Sequence, residues 1–265
     1  MAIAVKISRP LAQRPSSHWT DWGQWVALIT MTVDHVVRHL MPPEWLWASS
    51  SIGRVAFPLF AGMVAWHGCF NTRNPYRYAR RIMVIGIVAQ LPYMLLPRDG
   101  WQWNVCFTLG LGLMWATLLK EEVARFLHSG NARHGGRLLG LIGVSLAAWW
   151  WLGGFFEYGH LGLLFVPALV LAMLPWQAKV GVCFNASEAT LFVGLALVNA
   201  ALLNSSVMAK SVTTATTAFV LAMLIFSHKI PAVFYPMWRK LWLSWYPGHL
   251  AFIVLCLFVT GTYIE

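Results

Sequence analysis

Apolar and polar positions alternate along this chain in long blocks, about nine apolar runs separated by short polar connections. The runs are Trp22–Met41, Val55–Cys69, Ile82–Leu96, Val105–Leu119, Leu138–Phe156, Leu161–Leu174, Ala189–Leu203, Thr216–Phe226 and Gly248–Tyr263. A helix of about 20 apolar residues crosses the hydrocarbon layer of a bilayer, and several of these runs are shorter than that. In lipid the backbone must satisfy its own hydrogen bonds, so the runs predict helices. The fold class that follows is all-α, a polytopic transmembrane helix bundle of about nine spans. A single integral membrane domain covers 22–265, and 1–21 forms a polar N-terminal tail. Trp22 opens a retained first span, because nothing before it has the short apolar core and small-residue cleavage site of a removed signal peptide.

Composition supports the same class. Only 11% of the 265 residues are Asp, Glu, Lys or Arg, whereas 58% are hydrophobic. Soluble domains carry about 25% charged residues, and the interior of a soluble chain this short is too small to hide so much apolar surface. The 16 Trp residues fit the two membrane–water interfaces. The net charge of +10 does not point to nucleic acid, since the basic residues fall in short connections and form no long stripe.

Those connections carry an orientation signal. Lys6, Arg9 and Arg14 precede the first run. Arg73, Arg77, Arg80 and Arg81 follow the second, and Lys120, Arg125, Arg133 and Arg137 the fourth. Lys179 follows the sixth, and Lys229, Arg239 and Lys240 the eighth. The alternate connections hold Arg38 and Arg54, then Arg98, then none, then Lys210. The asymmetry predicts a cytoplasmic N-terminus. The stretch Pro231–Trp242, rich in Trp, Tyr and Phe, reads as a segment lying on the cytoplasmic surface.

Against this background Asp34-His35, inside the first run, stands out. A charge near the bilayer centre costs about 2.5–3.5 kcal/mol on insertion scales, so such residues are rare and face a protein interior or a cavity. On a helix the two side chains point about 100° apart and do not pair directly. Asp34 and Arg38 are four residues apart and can pair; so are His35 and His39. The structural reading is an ion pair plus a helix–helix contact. The chemical reading makes neutral His35 a general base, with Asp34 holding an arginine from another helix or orienting a catalytic group. Arg54 is one candidate partner, and a snorkelling interfacial arginine otherwise. The cluster Arg73, Arg77, Arg80 and Arg81 serves orientation, or clamps phosphate through paired hydrogen bonds. Gln90, Asn104, Tyr158, His160, Tyr246 and His249 recur beside or inside apolar runs. Singly each reads as a core or cap residue; together they can line a polar cavity. No metal site is expected: the four cysteines are scattered with no CxxC, HExxH is absent, and His67 is not naturally grouped with His35 and His39. Gly136 and Gly140 have GxxxG spacing, a close-approach signal that is weak at this composition.

Several of these stretches together resemble a known family. Ile29-Thr-Met-Thr-Val-Asp-His35, Gly53-Arg54-Val-Ala-Phe-Pro-Leu-Phe60, Ala89-Gln-Leu-Pro-Tyr93 and Asn104-Val-Cys-Phe-Thr108 come first in order. Tyr158-Gly159 with Gly162-Leu163, and Tyr246-Pro247-Gly248-His249-Leu250, complete the set. They resemble, collinearly from Ile29 to the C-terminus, the motifs of the TraX family, membrane acetylases of conjugative pilin. The polar tail and the stretch from Pro175 to Lys240 carry none of these motifs. The resemblance implies transfer from acetyl-coenzyme A to the N-terminal amine of pilin in the bacterial inner membrane. It also implies His35 as base with Asp34 beside it, and Arg38, Arg54, Asn104, Tyr158, Tyr246 and His249 in supporting or substrate-positioning places. The donor's phosphates would lie at Arg73, Arg77, Arg80 and Arg81. Pilin is the implied partner, with other pilus biogenesis proteins possible and no nucleic acid. Cys106 is a conceivable acyl acceptor, or packing.

Three other readings stay open on the sequence. One is O-acylation of a glycan with the same histidine. Another is a non-catalytic pilus assembly factor. The third is a transporter-like protein, which would be expected to show repeat symmetry and several intramembrane carboxylates; Asp34 is the sole acidic residue well inside a run, and no repeat is evident.

Overall fold

A computed structural model describes residues 15–98, 100–129, 131–177 and 184–261. Most of the polar tail, including Lys6, Arg9 and Arg14, lies outside the described residues, as do Lys179 and Cys183. Among the described residues each apolar run falls largely within a helix, giving nine longer helices and one short one. They are α1 (His18–Leu40), the short α2 (Leu46–Ser50), α3 (Ala56–Trp66), α4 (Pro75–Met94), α5 (Val105–Ser129), α6 (Ala132–Leu152), α7 (Gly159–Met173), α8 (Ala186–Leu202), α9 (Val207–Phe226) and α10 (Arg239–Val259). The all-α class is what the structure has; among the described residues the single β feature is an isolated bridge between Trp103 and Phe156. The first helix starts at His18, four residues before the apolar run.

Five helical segments are long and apolar enough to cross a membrane: Pro43–Asn71, Ala132–Phe155, Gly159–Trp176, Val207–Lys229 and Arg239–Val259. This is a membrane protein. Helix ends are set by local chemistry. Asn74 accepts from the Arg77 amide at 2.9 Å, with Pro75 at the first helical position, where a missing amide costs nothing. Asn185 and Glu188 form a reciprocal capping box.

Helix α3 lies at the centre. All but one of its residues are buried, and it packs on α1, α7 and α9. Around it α1 packs on α10, α10 on α4, α4 on α5 and α5 on α7. Helix α6 stands outside this core with no buried residue. A side chain at Gly136 or Gly140 would meet nothing within 4 Å, so the GxxxG spacing mediates no packing inside this chain.

The α4–α5 corner is locked by a buried amide pair. Asn104 is fully buried. Its Nδ2 donates to Gly86 O and to Gln90 Oε1, each at 2.8 Å, and its Oδ1 accepts from the Cys106 amide at 3.1 Å. Gln90 Nε2 in turn donates to Gln102 O at 2.8 Å. Asn104→Ala strands these buried groups, at about 1–3 kcal/mol. Thermal unfolding in detergent is expected to shift down accordingly, and an unchanged melting curve would show that the lock is dispensable.

Candidate active site

The intramembrane acid is pinned on one face of α1. Asp34 is buried, and Oδ1 accepts from Arg38 Nε at 3.0 Å and from Ser49 Oγ. Arg38 Nε also donates to Ser49 Oγ at 2.9 Å. The partner from outside α1 is therefore Ser49 of α2, not Arg54 as one sequence reading had it; Arg54 Nε is buried without a partner. The motif glycine beside Arg54 has a steric reason. A Cβ on Gly53 would lie 2.5 Å from Asp34 Oδ1 and 2.7 Å from Asp34 Cβ. Only glycine admits the Asp34 side chain here.

Turned away from Asp34, His35 crosses to α10. Its Nδ1 lies 2.7 Å from His249 Nε2, and His249 Nδ1 lies 2.7 Å from Trp245 O. The proton positions follow. A carbonyl oxygen only accepts, so His249 Nδ1 donates to Trp245 O. Neutral His249 then has a bare Nε2, which accepts from His35 Nδ1. Neutral His35 keeps its lone pair on Nε2, which among the described residues receives no hydrogen bond. A second rung fixes the register of the two helices: Trp245 Nε1 donates to Thr32 Oγ1 at 2.9 Å. The chain thus presents an imidazole base whose free nitrogen is set by a relay of two hydrogen bonds.

Two cavities lead toward this pair from the N-terminal end of α1. The first, about 530 Å³, is lined by Gln24, His67, Asn71, Arg73, Arg77 and Arg81, with Phe60, Val64, Tyr78 and Trp242. The second, about 260 Å³, shares Phe60, Val64, Tyr78, Arg81 and Trp242 with it and adds Met31, Val105, Cys106, Arg239, Trp245 and Tyr246. Met31 is one turn below His35 on α1, and Trp245 one turn below His249 on α10. The second cavity therefore reaches the level just beneath the imidazole pair. A basic mouth passes into an apolar chamber at a neck where Trp242 stacks on Phe60, their rings 5.5 Å apart.

On the far side, the connection before α7 supplies Glu157. Its Oε2 accepts from the Val105 amide at 2.9 Å. Its own backbone is held by Trp103 O and Thr108 Oγ1. Burial pushes the Glu157 carboxyl above the usual carboxylate range, against the opposing pull of Arg98 and then Arg38. Tyr158 follows in the left-handed region, φ 66°, and its ring stacks on Phe57 at 3.9 Å. The next turn must approach it closely, since a Cβ on Gly162 would lie 2.5 Å from Tyr158 Cβ.

The structure thus brings together Asp34 and Arg38, and separately His35, His249 and Tyr246. The Tyr246 ring is 5.8 Å from that of His249, and among the described residues its buried hydroxyl has no partner. Arg73, Arg77 and Arg81 share one cavity that Arg80 does not line. Asn104 and Tyr158 act through packing at the α4–α5 and α3–α7 contacts. Sequence reasoning missed Ser49, Glu157, Arg98, Arg239 and Trp242. The only signal for them was polarity at the ends of apolar runs. His67 hydrogen-bonds Asn71 at 2.7 Å near the start of α1, well away from His35.

The model of the TraX family, described as TraX protein, matches residues 21–257. An uncharacterized protein of Rickettsia prowazekii (strain Madrid E) is 21% identical over 173 residues, which cover 64% of this chain and 62% of that protein. The match thus spans less than two thirds of the relative's length. No solved structure matches.

Gly53→Ala tests the pinning of Asp34. Overpacking of this kind costs about 1–3 kcal/mol, so the variant is expected to melt lower and to lose whatever activity needs α1 in place. Wild-type stability and activity would show that Asp34 can move aside freely.

Proposed function

The chain belongs to the TraX family, and on that premise we propose that it is an inner-membrane acetyltransferase. It moves an acetyl group from acetyl-coenzyme A to the N-terminal amine of conjugative pilin. The family supports a role connected with pili. The observation that carries the chemistry is the relay Trp245 O, His249, His35, which leaves a neutral imidazole with one free nitrogen inside a membrane protein.

The donor's phosphates bind at Arg73, Arg77 and Arg81, with Arg239 behind them, and its pantetheine arm threads the neck at Trp242 into the apolar chamber. From Gln24 at the mouth to His35 is about 16 Å along α1 at 1.5 Å per residue, which calls for a long, slender donor. The acceptor amine attacks the thioester carbon, forming the C–N bond. His35 Nε2 takes the proton that the nitrogen then sheds. The C–S bond breaks, and the leaving thiolate takes up a proton. The resulting His35 imidazolium donates from Nδ1 to His249, which spreads the charge along the relay. An α-amino group titrates near 7.7–8.0, so placing and drying the two reactants matters more than base strength.

The test is the intact mass of the cognate pilin from cells with this protein, without it, and with His35→Ala or His249→Ala. A gain of one acetyl group that needs the protein is expected. Loss of a general base lowers the rate about 10²–10⁴-fold, so His35→Ala is expected to leave pilin unmodified and His249→Ala to slow the reaction. Arg73→Ala with Arg81→Ala is expected to raise KM for acetyl-coenzyme A at little change in kcat. Acetylation that survives His35→Ala would overturn the mechanism. An unchanged pilin mass in every sample would overturn the substrate and favour a glycan hydroxyl.

A further inference from the structure

The proposed mechanism leaves Glu157 without a task, and its setting is not that of an ordinary ion pair. Among the described residues, no cation lies within 4 Å of its carboxylate; the acid groups that are ion-paired are Asp34, Glu121 and Glu122. Arg98 balances it only at a distance. That guanidinium lies over the Tyr93 ring, its central carbon 3.4 Å from the centroid, and among the described residues its Nε is buried without a partner. The carboxylate accepts from the Val105 amide and from the Tyr93 hydroxyl, and since a carboxylate offers about four acceptor sites, about two are left open. Val105 lines the inner end of the apolar chamber, as does Tyr246, whose hydroxyl is buried and unpartnered.

Resting on the acetyltransferase reading above, we propose that Glu157 and the Tyr246 hydroxyl form the acceptor subsite, and that the subsite selects a primary ammonium. The group that suits this place must be cationic, because an anionic or neutral occupant leaves the carboxylate uncompensated, and it must carry several donors. A primary ammonium offers three. A sugar hydroxyl has one donor and no charge. The subsite also sits at the correct end of the chamber: Tyr246 packs against His249, which holds His35. The bound ammonium loses one proton to become the nucleophile. The attacking nitrogen loses a second to His35, the thiolate leaves protonated, and one proton is released overall. Glu157 is rigid enough for the task, since its amide donates to Trp103 O, its carbonyl accepts from Thr108 Oγ1, and its carboxylate accepts from the Val105 amide and the Tyr93 hydroxyl.

Glu157→Gln is the discriminating variant, because the amide oxygen still accepts from Val105 N while the charge is gone. The probes are a synthetic peptide with a free α-amine and the same peptide with an α-hydroxyl in its place, with the full-length protein in detergent. Loss of a charge-assisted hydrogen bond is worth roughly ten- to a hundredfold in affinity. KM for the amine peptide is therefore expected to rise by that factor, with KM for acetyl-coenzyme A and the melting temperature unchanged. Wild-type protein is expected to prefer the amine peptide by a similar factor, which needs no variant to measure. Peptide binding without donor, read by Trp fluorescence, separates this subsite from the acetyltransferase reading. Binding that is amine-selective and lost in Glu157→Gln supports the subsite even if no acetyl moves. Equal binding of amine and hydroxyl peptides, or a Glu157→Gln defect confined to kcat or to stability, would overturn it.

Discussion

A carbonyl oxygen that only accepts decides the state of every nitrogen in the His35–His249 relay. Trp245 O takes the Nδ1 proton of His249, which leaves His249 Nε2 as acceptor for His35 Nδ1, which leaves His35 Nε2 bare. The carbonyl has no proton to give, so its hydrogen bond cannot run the other way, and reversing the His35–His249 hydrogen bond would need His249 to carry protons on both nitrogens. The relay works only if α1 and α10 hold their register, and the Trp245–Thr32 hydrogen bond one turn below does that. On the other face of α1, Asp34 is fixed by Arg38, Ser49 and the missing side chain at Gly53. The helix is therefore clamped from two sides. Asp34 and His35 have separate work, Asp34 positioning the helix and His35 pairing with His249.

Much of the architecture was legible because lipid imposes a simple rule. Backbone groups must pair within the segment, so each apolar run had to be helical, and each is. The cost of an intramembrane charge likewise marked Asp34 and His35 before any contact was known. What stayed hidden depends on contacts between distant segments. Ser49 reads as one of three serines in a turn, and only the fold brings it to Asp34. Glu157 sits between Phe156 and Tyr158, where an interfacial acid looks unremarkable; the α6–α7 connection folds inward and carries it to the start of α5. Arg54 looked like the partner of Asp34 because it adjoins the motif glycine. Yet glycine at 53 serves Asp34 directly, and among the described residues the buried Arg54 Nε has no partner. The spacing of Gly136 and Gly140 signals close packing in many membrane helices, but α6 lies outside the core and leaves both open.

The motifs behind the family resemblance also separate into two physical groups. Gln90, Asn104, Tyr158 and Gly162 fasten α4 to α5 and α7 to its neighbours through buried amides, a ring stack and a close backbone approach. His35 and His249 pair beside Tyr246, which lines the chamber. A motif residue is thus as often a fastening of the helices as a participant in chemistry. The two kinds are told apart by whether its polar atoms are already satisfied. Asn104 has partners for both side-chain atoms, whereas Tyr246 has none for its hydroxyl.

That contrast bears on how the proposed two-substrate reaction would be arranged. The basic mouth lies at the N-terminal end of α1, and the acidic and aromatic groups lie at the other end. In the proposed reaction this arrangement would sort a phosphate-bearing donor and an amine-bearing acceptor by charge before they meet. The neck at Phe60 and Trp242 is apolar, so a phosphate group cannot follow the arm into the chamber without losing its hydration. The chamber lining is largely apolar. In such a place the imidazole need not be a strong base. It needs a defined free nitrogen and a way to disperse charge, and the relay to Trp245 O supplies both.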